Sequence, residues 1–88
     1  MALAYEEVRK AVVASLAEIE ALDAKAAAGM LADPASDVEL ASLGIDSMKV
    51  VDFCMLVEKA VGREIDIAEL IDNPTVNALA EFLHKDQD

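Results

Sequence analysis

Eighty-eight residues, 56% of them hydrophobic, support one domain with a modest core and exclude disorder along the whole chain. Eighteen acidic against seven basic side chains give a formal net charge of −11, which disfavours nucleic acid and anionic membrane and favours basic protein surfaces. A single cysteine, Cys54, and a single histidine, His84, exclude an internal disulfide and a metal centre built on thiols or imidazoles.

Only Tyr5, Phe53 and Phe82 are aromatic, and much of the apolar fraction is alanine, so the composition reads as all-α. Glu6, Glu7, Arg9 and Lys10 interrupt the N-terminal segment before a signal-peptide core could form, and no run is long enough to span a membrane. The expected location is the cytoplasm.

The first element is an amphipathic helix over about Ala4 to Leu22, with Tyr5, Val8, Val12, Leu16 and Ile19 on one side. Arg9 and its charged neighbours fall on other faces. Ala24 to Ala28 could prolong this helix, with Gly29 as its terminator, and Asp33-Pro34 marks a break.

A long connection over Gly29 to Asp46 follows, held by Met30, Leu31, Val38, Leu40, Leu43 and Ile45, with a helical turn near Asp37 to Ala41. The next strong helix runs from about Ser47 to Val61, capped by Asp46 or Ser47 and ended by Gly62. A short helix over Ile67 to Ile71 carries an Asp66/Glu69 capping spacing, and a last helix runs from Thr75 to about His84.

On a helical wheel, residues 47 to 62 separate into two apolar groups. Val50, Phe53, Cys54, Val57 and Val61 make a core-facing stripe, whereas Met48, Val51 and Met55 lie nearly opposite. Asp52 and Lys59 flank the second stripe on one edge and Glu58 on the other. Either the connection folds back over it, or it is a partner patch with an acidic rim; the adaptable methionines favour the patch.

Ser47 has no sequence signature of an autonomous nucleophile: no Gly-x-Ser-x-Gly elbow surrounds it, and His84 lies near the far end of the chain. A helix N-terminus does, however, suit a phosphate. Asp46 would repel such a group, so this acid is expected either to cap the helix or to be read by an enzyme that installs the group.

Leu43-Gly44-Ile45-Asp46-Ser47-Met48 matches the L-G-x-D-S-[LM] attachment motif of the phosphopantetheine-dependent carrier proteins, and the chain resembles that family. Leu40 sits where a large apolar residue precedes Leu-Gly, and Asn73-Pro74-Thr75-Val76 with Leu79-Ala80 resembles the family's P-T-x-x-x-L-A element. The order of elements extends the resemblance over nearly the whole chain.

The resemblance implies a small four-helix bundle, three long helices plus one short, with a long loop between the first two. It implies 4′-phosphopantetheine, donated by coenzyme A and attached to Ser47 by a phosphopantetheinyl transferase. An acyl-, aryl- or aminoacyl-loading ligase and downstream synthase or transferase enzymes would be the other partners. They would dock on the Ser47 helix through Met48, Val51, Asp52, Met55 and Glu58. The expected molecule is a monomeric carrier without catalysis of its own.

Lys49 stands where fatty-acid-type carriers often have an acid, and the connection is Ala-rich with Lys25 and Asp33-Pro34. Together with Met1, these features suggest a discrete carrier of a specialised pathway. The competing expectation is a helical adaptor for a basic partner, with Ser47 a cap or a phosphorylation site.

Overall fold

The row of apolar side chains read at the start of the chain forms α1, Tyr5–Glu18, in a computed structural model that describes residues 3–85. Val8, Val12, Val13 and Leu16 are fully buried, and α1 packs against three of the other helices. The helix ends earlier than its apolar pattern suggests. Glu20 takes a left-handed conformation, with φ 63°, and the Ala21 N–H returns to the Leu16 carbonyl at 2.9 Å. Ile19 before this turn and Leu22 after it are both buried in the core.

The chain then begins a separate helix, α2, Ala24–Ala32, instead of prolonging α1. Asp23 starts it by accepting the Ala26 N–H at 2.7 Å. Gly29 lies within α2 and does not terminate it. Ala27 and Met30 point to the core while Gly29 is exposed, so the alanine-rich segment tolerates the glycine. The end falls at Asp33, extended as expected before Pro34. The long connection is thus partly helical.

The irregular remainder is short and firmly held. Glu39 and Thr75 form an isolated antiparallel bridge. In it, the Leu40 N–H donates to the Pro74 carbonyl at 2.8 Å and the Val76 N–H to the Val38 carbonyl at 3.1 Å. A 3-10 turn follows at Leu40–Leu43, later in the chain than the turn expected near Asp37. Asp37 instead accepts the Asn77 N–H at 3.0 Å. Of the anticipated anchors, Met30 and Leu40 are buried, and Val38, Leu43 and Ile45 are partly buried against the core. Leu31 is exposed, because α2 turns Met30 inward in its place.

α3, Ser47–Val61, α4, Ile67–Asp72, and α5, Val76–Lys85, complete the chain. Gly62, left-handed with φ 78°, ends α3 as expected. The Asp66/Glu69 capping box is present at α4. The Asp66 N–H and then the Arg63 guanidinium hold the Glu69 carboxyl below its usual range. Thr75 caps α5, its hydroxyl accepting the Ala78 N–H at 3.1 Å. Val76, Leu79, Ala80 and Leu83 of α5 and Phe53 and Val57 of α3 are buried in the core, and both helices pack against α1. The fold is an all-α bundle of carrier-protein type, with one helix more than the sequence pattern suggested.

Buried Arg9 departs most from the sequence pattern. It is only 4% exposed, although its charge suggested a solvated face. Its Nε donates to Asn77 Oδ1 at 2.7 Å, Nη1 to the Met30 carbonyl at 2.7 Å and Nη2 to the Ser36 carbonyl at 2.8 Å. Longer contacts reach Ser36 Oγ at 3.2 Å and the Asp33 carbonyl at 3.4 Å. All of these acceptors are neutral oxygens. One guanidinium therefore ties α1 to the end of α2, the connection and α5.

Candidate functional site at the start of α3

The segment before α3 is shaped by two partly buried side chains, Leu43 and Ile45, with Gly44 between them. Gly44 has φ 66° and ψ 31°, a left-handed conformation in which a side chain is strained, although nothing crowds the space a Cβ would fill. The anchored pair fixes where Asp46 and Ser47 emerge.

Asp46 is the cap. Its carboxylate accepts the Lys49 N–H at 2.8 Å, and its carbonyl accepts the Val50 N–H at 2.9 Å. Ser47 is consequently the first helical residue and not the N-cap. Its side chain is exposed, and among the described residues none hydrogen-bonds to its hydroxyl. The fold places no demand on that oxygen. Phosphopantetheine fits such a position: the hydroxyl is accessible for esterification, and its phosphate would lie at the positive end of a 15-residue helix.

His84 is engaged elsewhere, with Nδ1 3.2 Å from the Leu3 carbonyl and its ring edge-on to Tyr5. Among the described residues, no side chain is poised on Ser47 as a base. No group of three or more His, Cys, Asp or Glu side chains among them could hold a metal ion. No helix among them is long and apolar enough to cross a membrane.

The two stripes of α3 separate as the wheel suggests. Phe53, Cys54 and Val57 are buried, and Val50 and Val61 pack partly against the core. Met48, Val51 and Met55 are 78%, 50% and 61% exposed, so the connection does not fold over them. Asp52 is exposed beside them. Glu58 is half-buried and one of its oxygens accepts the Ile65 N–H at 2.8 Å, which gives it a structural duty in the turn after α3. Lys49 lines a shallow depression with Glu18, Glu20 and Asp52, against the end of α1.

Two exposed side chains on α4, Ile67 at 51% and Ile71 at 72%, were not singled out in the sequence. Their four-residue spacing is the available signal, but in so short a segment it reads equally as a core stripe.

A helical bundle that presents an unengaged serine at a helix N-terminus, beside an uncovered apolar stripe, has the design of a carrier scaffold. The phosphopantetheine attachment site family matches residues 10–83, and the chain belongs to that family. Its cofactor is covalently attached 4′-phosphopantetheine. No solved structure gives a significant match to the chain.

Proposed function

We propose that the chain is one carrier module, modified at Ser47, which holds an acyl, aryl or aminoacyl intermediate and presents it to partner enzymes of the cytoplasm. The observation that supports this most directly is the Ser47 hydroxyl, exposed and without a protein partner among the described residues. Ser47 Oγ forms the new ester bond to phosphorus as the pyrophosphate of coenzyme A is cleaved. Its proton leaves to the transferase and the nucleotide portion departs.

When bound, phosphopantetheine supplies a terminal thiol that carries the cargo as a thioester. The protein's own part is to fix Ser47, to keep the first turn of α3 open and to offer Met48, Val51 and Met55, with acidic Asp52 and Glu58, for docking. It performs no bond-making step itself. The strongly negative surface speeds encounter with basic partners, an effect that salt weakens.

The test is an intact mass after incubation with coenzyme A and a promiscuous phosphopantetheinyl transferase. The protein gains one phosphopantetheine and Ser47→Ala gains none. An unchanged mass, where a control carrier converts fully, would overturn the proposal.

A further inference from the structure

Buried Arg9 has no carboxylate among its hydrogen-bond partners: every acceptor is a neutral oxygen. The Asp33 carboxylate accepts the Ala35 N–H instead. Of the two protons on Arg9 Nη1, one goes to the Met30 carbonyl and the other has no acceptor among the described residues. A cation held out of water attracts an anion more strongly than one on the open surface.

Arg9 also lines a cleft of about 380 Å³ between α1 and the end of α2, together with Tyr5, Glu6, Lys10, Leu31 and Pro34. That volume falls in the range of about 300–1,000 Å³ found for small-ligand sites. Two of its walls are already fixed. The His84 ring holds Tyr5 edge-on, and the Pro34 ring restricts its own backbone. Leu31 is 43% exposed, and it is the one exposed large apolar side chain among the described residues that lies outside α3 and α4.

Charge sets this cleft apart. The depression at the end of α1 has three acids against one base, and the one before α4 has four against one. The cleft between α1 and α2 has two bases, Arg9 and Lys10, against Glu6. Lys10 is exposed and, like Glu6, forms no ion pair among the described residues. On a chain of net charge −11 this is a local reversal of sign.

These features select the occupant. Tyr5, Leu31 and Pro34 offer far less than the roughly 800 Å² that a stable protein interface takes from each partner, so the fit is to a small molecule. One ammonium and one spare guanidinium proton suit a single carboxylate. A second negative charge on the ligand would meet Glu6 and the acidic surface beyond it. The apolar walls call for a hydrocarbon body.

We propose that the cleft between α1 and α2 binds a small organic monocarboxylate, with the carboxylate drawn to Arg9 and Lys10 and an aliphatic body against Tyr5, Leu31 and Pro34. The site is separate from Ser47. It opens beside the first turns of α1, whereas Lys49 at the start of α3 lies against the end of α1, about 12–20 Å away along the helix. Binding ties α1 to α2 and so stabilises the fold by mass action. The inference does not depend on Ser47 being modified.

The test is a titration of the full-length apo protein with hexanoate, followed by the amide signals of Tyr5, Lys10 and Leu31 in two-dimensional NMR. 1-Hexanol and inorganic phosphate are titrated in parallel. Saturable shifts at those amides are expected, with a Kd of about 1 mM, and the melting temperature should rise with hexanoate concentration. Lys10→Gln should weaken binding about threefold, the size of an exposed charge pair. Leu31→Glu should weaken it about tenfold or more, by removing a wall and adding a like charge. Both residues are exposed, so the variants should melt like the parent.

Shifts that do not saturate, or that saturate on the α3 stripe instead, would overturn the proposal. If 1-hexanol binds as well as hexanoate, the two cations do not select the ligand; if phosphate does, the apolar walls do not, and either result refutes the assignment. Ser47→Ala should bind hexanoate like the parent, and a changed Kd there would place the ligand at the wrong end of α1. Because mass gain at Ser47 and hexanoate binding are read separately, the carrier reading and this one can fail independently.

Discussion

Replacing Arg9 by methionine probes what holds the end of α2 and the connection against α1 and α5 without touching Ser47. Methionine keeps most of the buried stem and removes the guanidinium. Three short hydrogen bonds are lost, to Asn77 Oδ1, the Met30 carbonyl and the Ser36 carbonyl, at 2.7, 2.7 and 2.8 Å. Hydrogen bonds to a charged donor contribute about 1.5–3 kcal/mol each. Against them stand about 2 kcal/mol of arginine side-chain entropy and the cost of drying a cation that has no carboxylate partner. The expected net loss is about 3 kcal/mol, near the lower end of what breaking a buried charged network costs.

A domain of this size has roughly 4–13 kcal/mol in total, so the variant should fold but melt about 12–20 °C lower. The sharper readout is local. Amide exchange at Leu40 and Val76, whose N–H groups bridge the connection and α5, should quicken more than exchange at Val57 in the centre of α3. Arg9→Lys should lie between, since an ammonium keeps the charge but not the fork. A loss below about 1 kcal/mol would refute this account of Arg9. Equal acceleration at all three amides would show that Arg9 supports the bundle generally and does not pin the connection.

Val57→Ala truncates a fully buried α3 side chain and should cost about 1–3 kcal/mol by urea unfolding. Glu20→Gly should raise stability by about 1 kcal/mol, because Glu20 holds φ 63° and glycine relieves that strain at some entropic cost; a lower melting temperature would count against it. Burial first, then the nearby charges of Glu58, Asp66 and Glu69, push the Cys54 thiol up. Apo protein should therefore show no fast thiol toward a disulfide reagent at about pH 8, and holo protein one, from the arm. The native thiol keeps its proton longer than the unfolded one. Its stabilising contribution is thus present below the ordinary cysteine pKa and is lost as pH rises through the raised native value, a dependence that Cys54→Ala should remove.

The parts of the fold that local chemistry determines were legible. Asp46 and Gly62 bracket α3, and the Asp66/Glu69 pair marks α4, because caps and left-handed glycines act over three or four residues. The opposed stripes of α3 followed from periodicity alone. The separation of α2 from α1 did not, since an alanine-rich segment has little periodicity and the dividing turn sits at Glu20, where glycine would have been the recognisable signal.

Arg9 was obscured by its charge. The Val12-Val13 doublet widens the buried arc of α1, and Arg9 stands one turn before Val13 on that wider face. What it reaches, at Met30, Ser36 and Asn77, is tertiary and has no local signature. The exposure of Ile67 and Ile71 is likewise a matter of where α4 rests, which a six-residue pattern does not encode.

Structural and functional duties at the start of α3 fall on different atoms. Asp46 satisfies the helix end, Leu43 and Ile45 anchor the approach, Gly44 makes the turn, and Arg9 steadies the connection from behind. None of these contacts uses the Ser47 hydroxyl. A phosphate attached there meets a favourable helix dipole of about 0.3–1 kcal/mol, opposed by the neighbouring Asp46 carboxylate across water-exposed space. Those two terms are small and opposite, so the bundle has little reason to change when Ser47 is modified. On the proposed carrier reading, partners would distinguish loaded from unloaded protein by the arm itself, with the exposed α3 stripe the same in both.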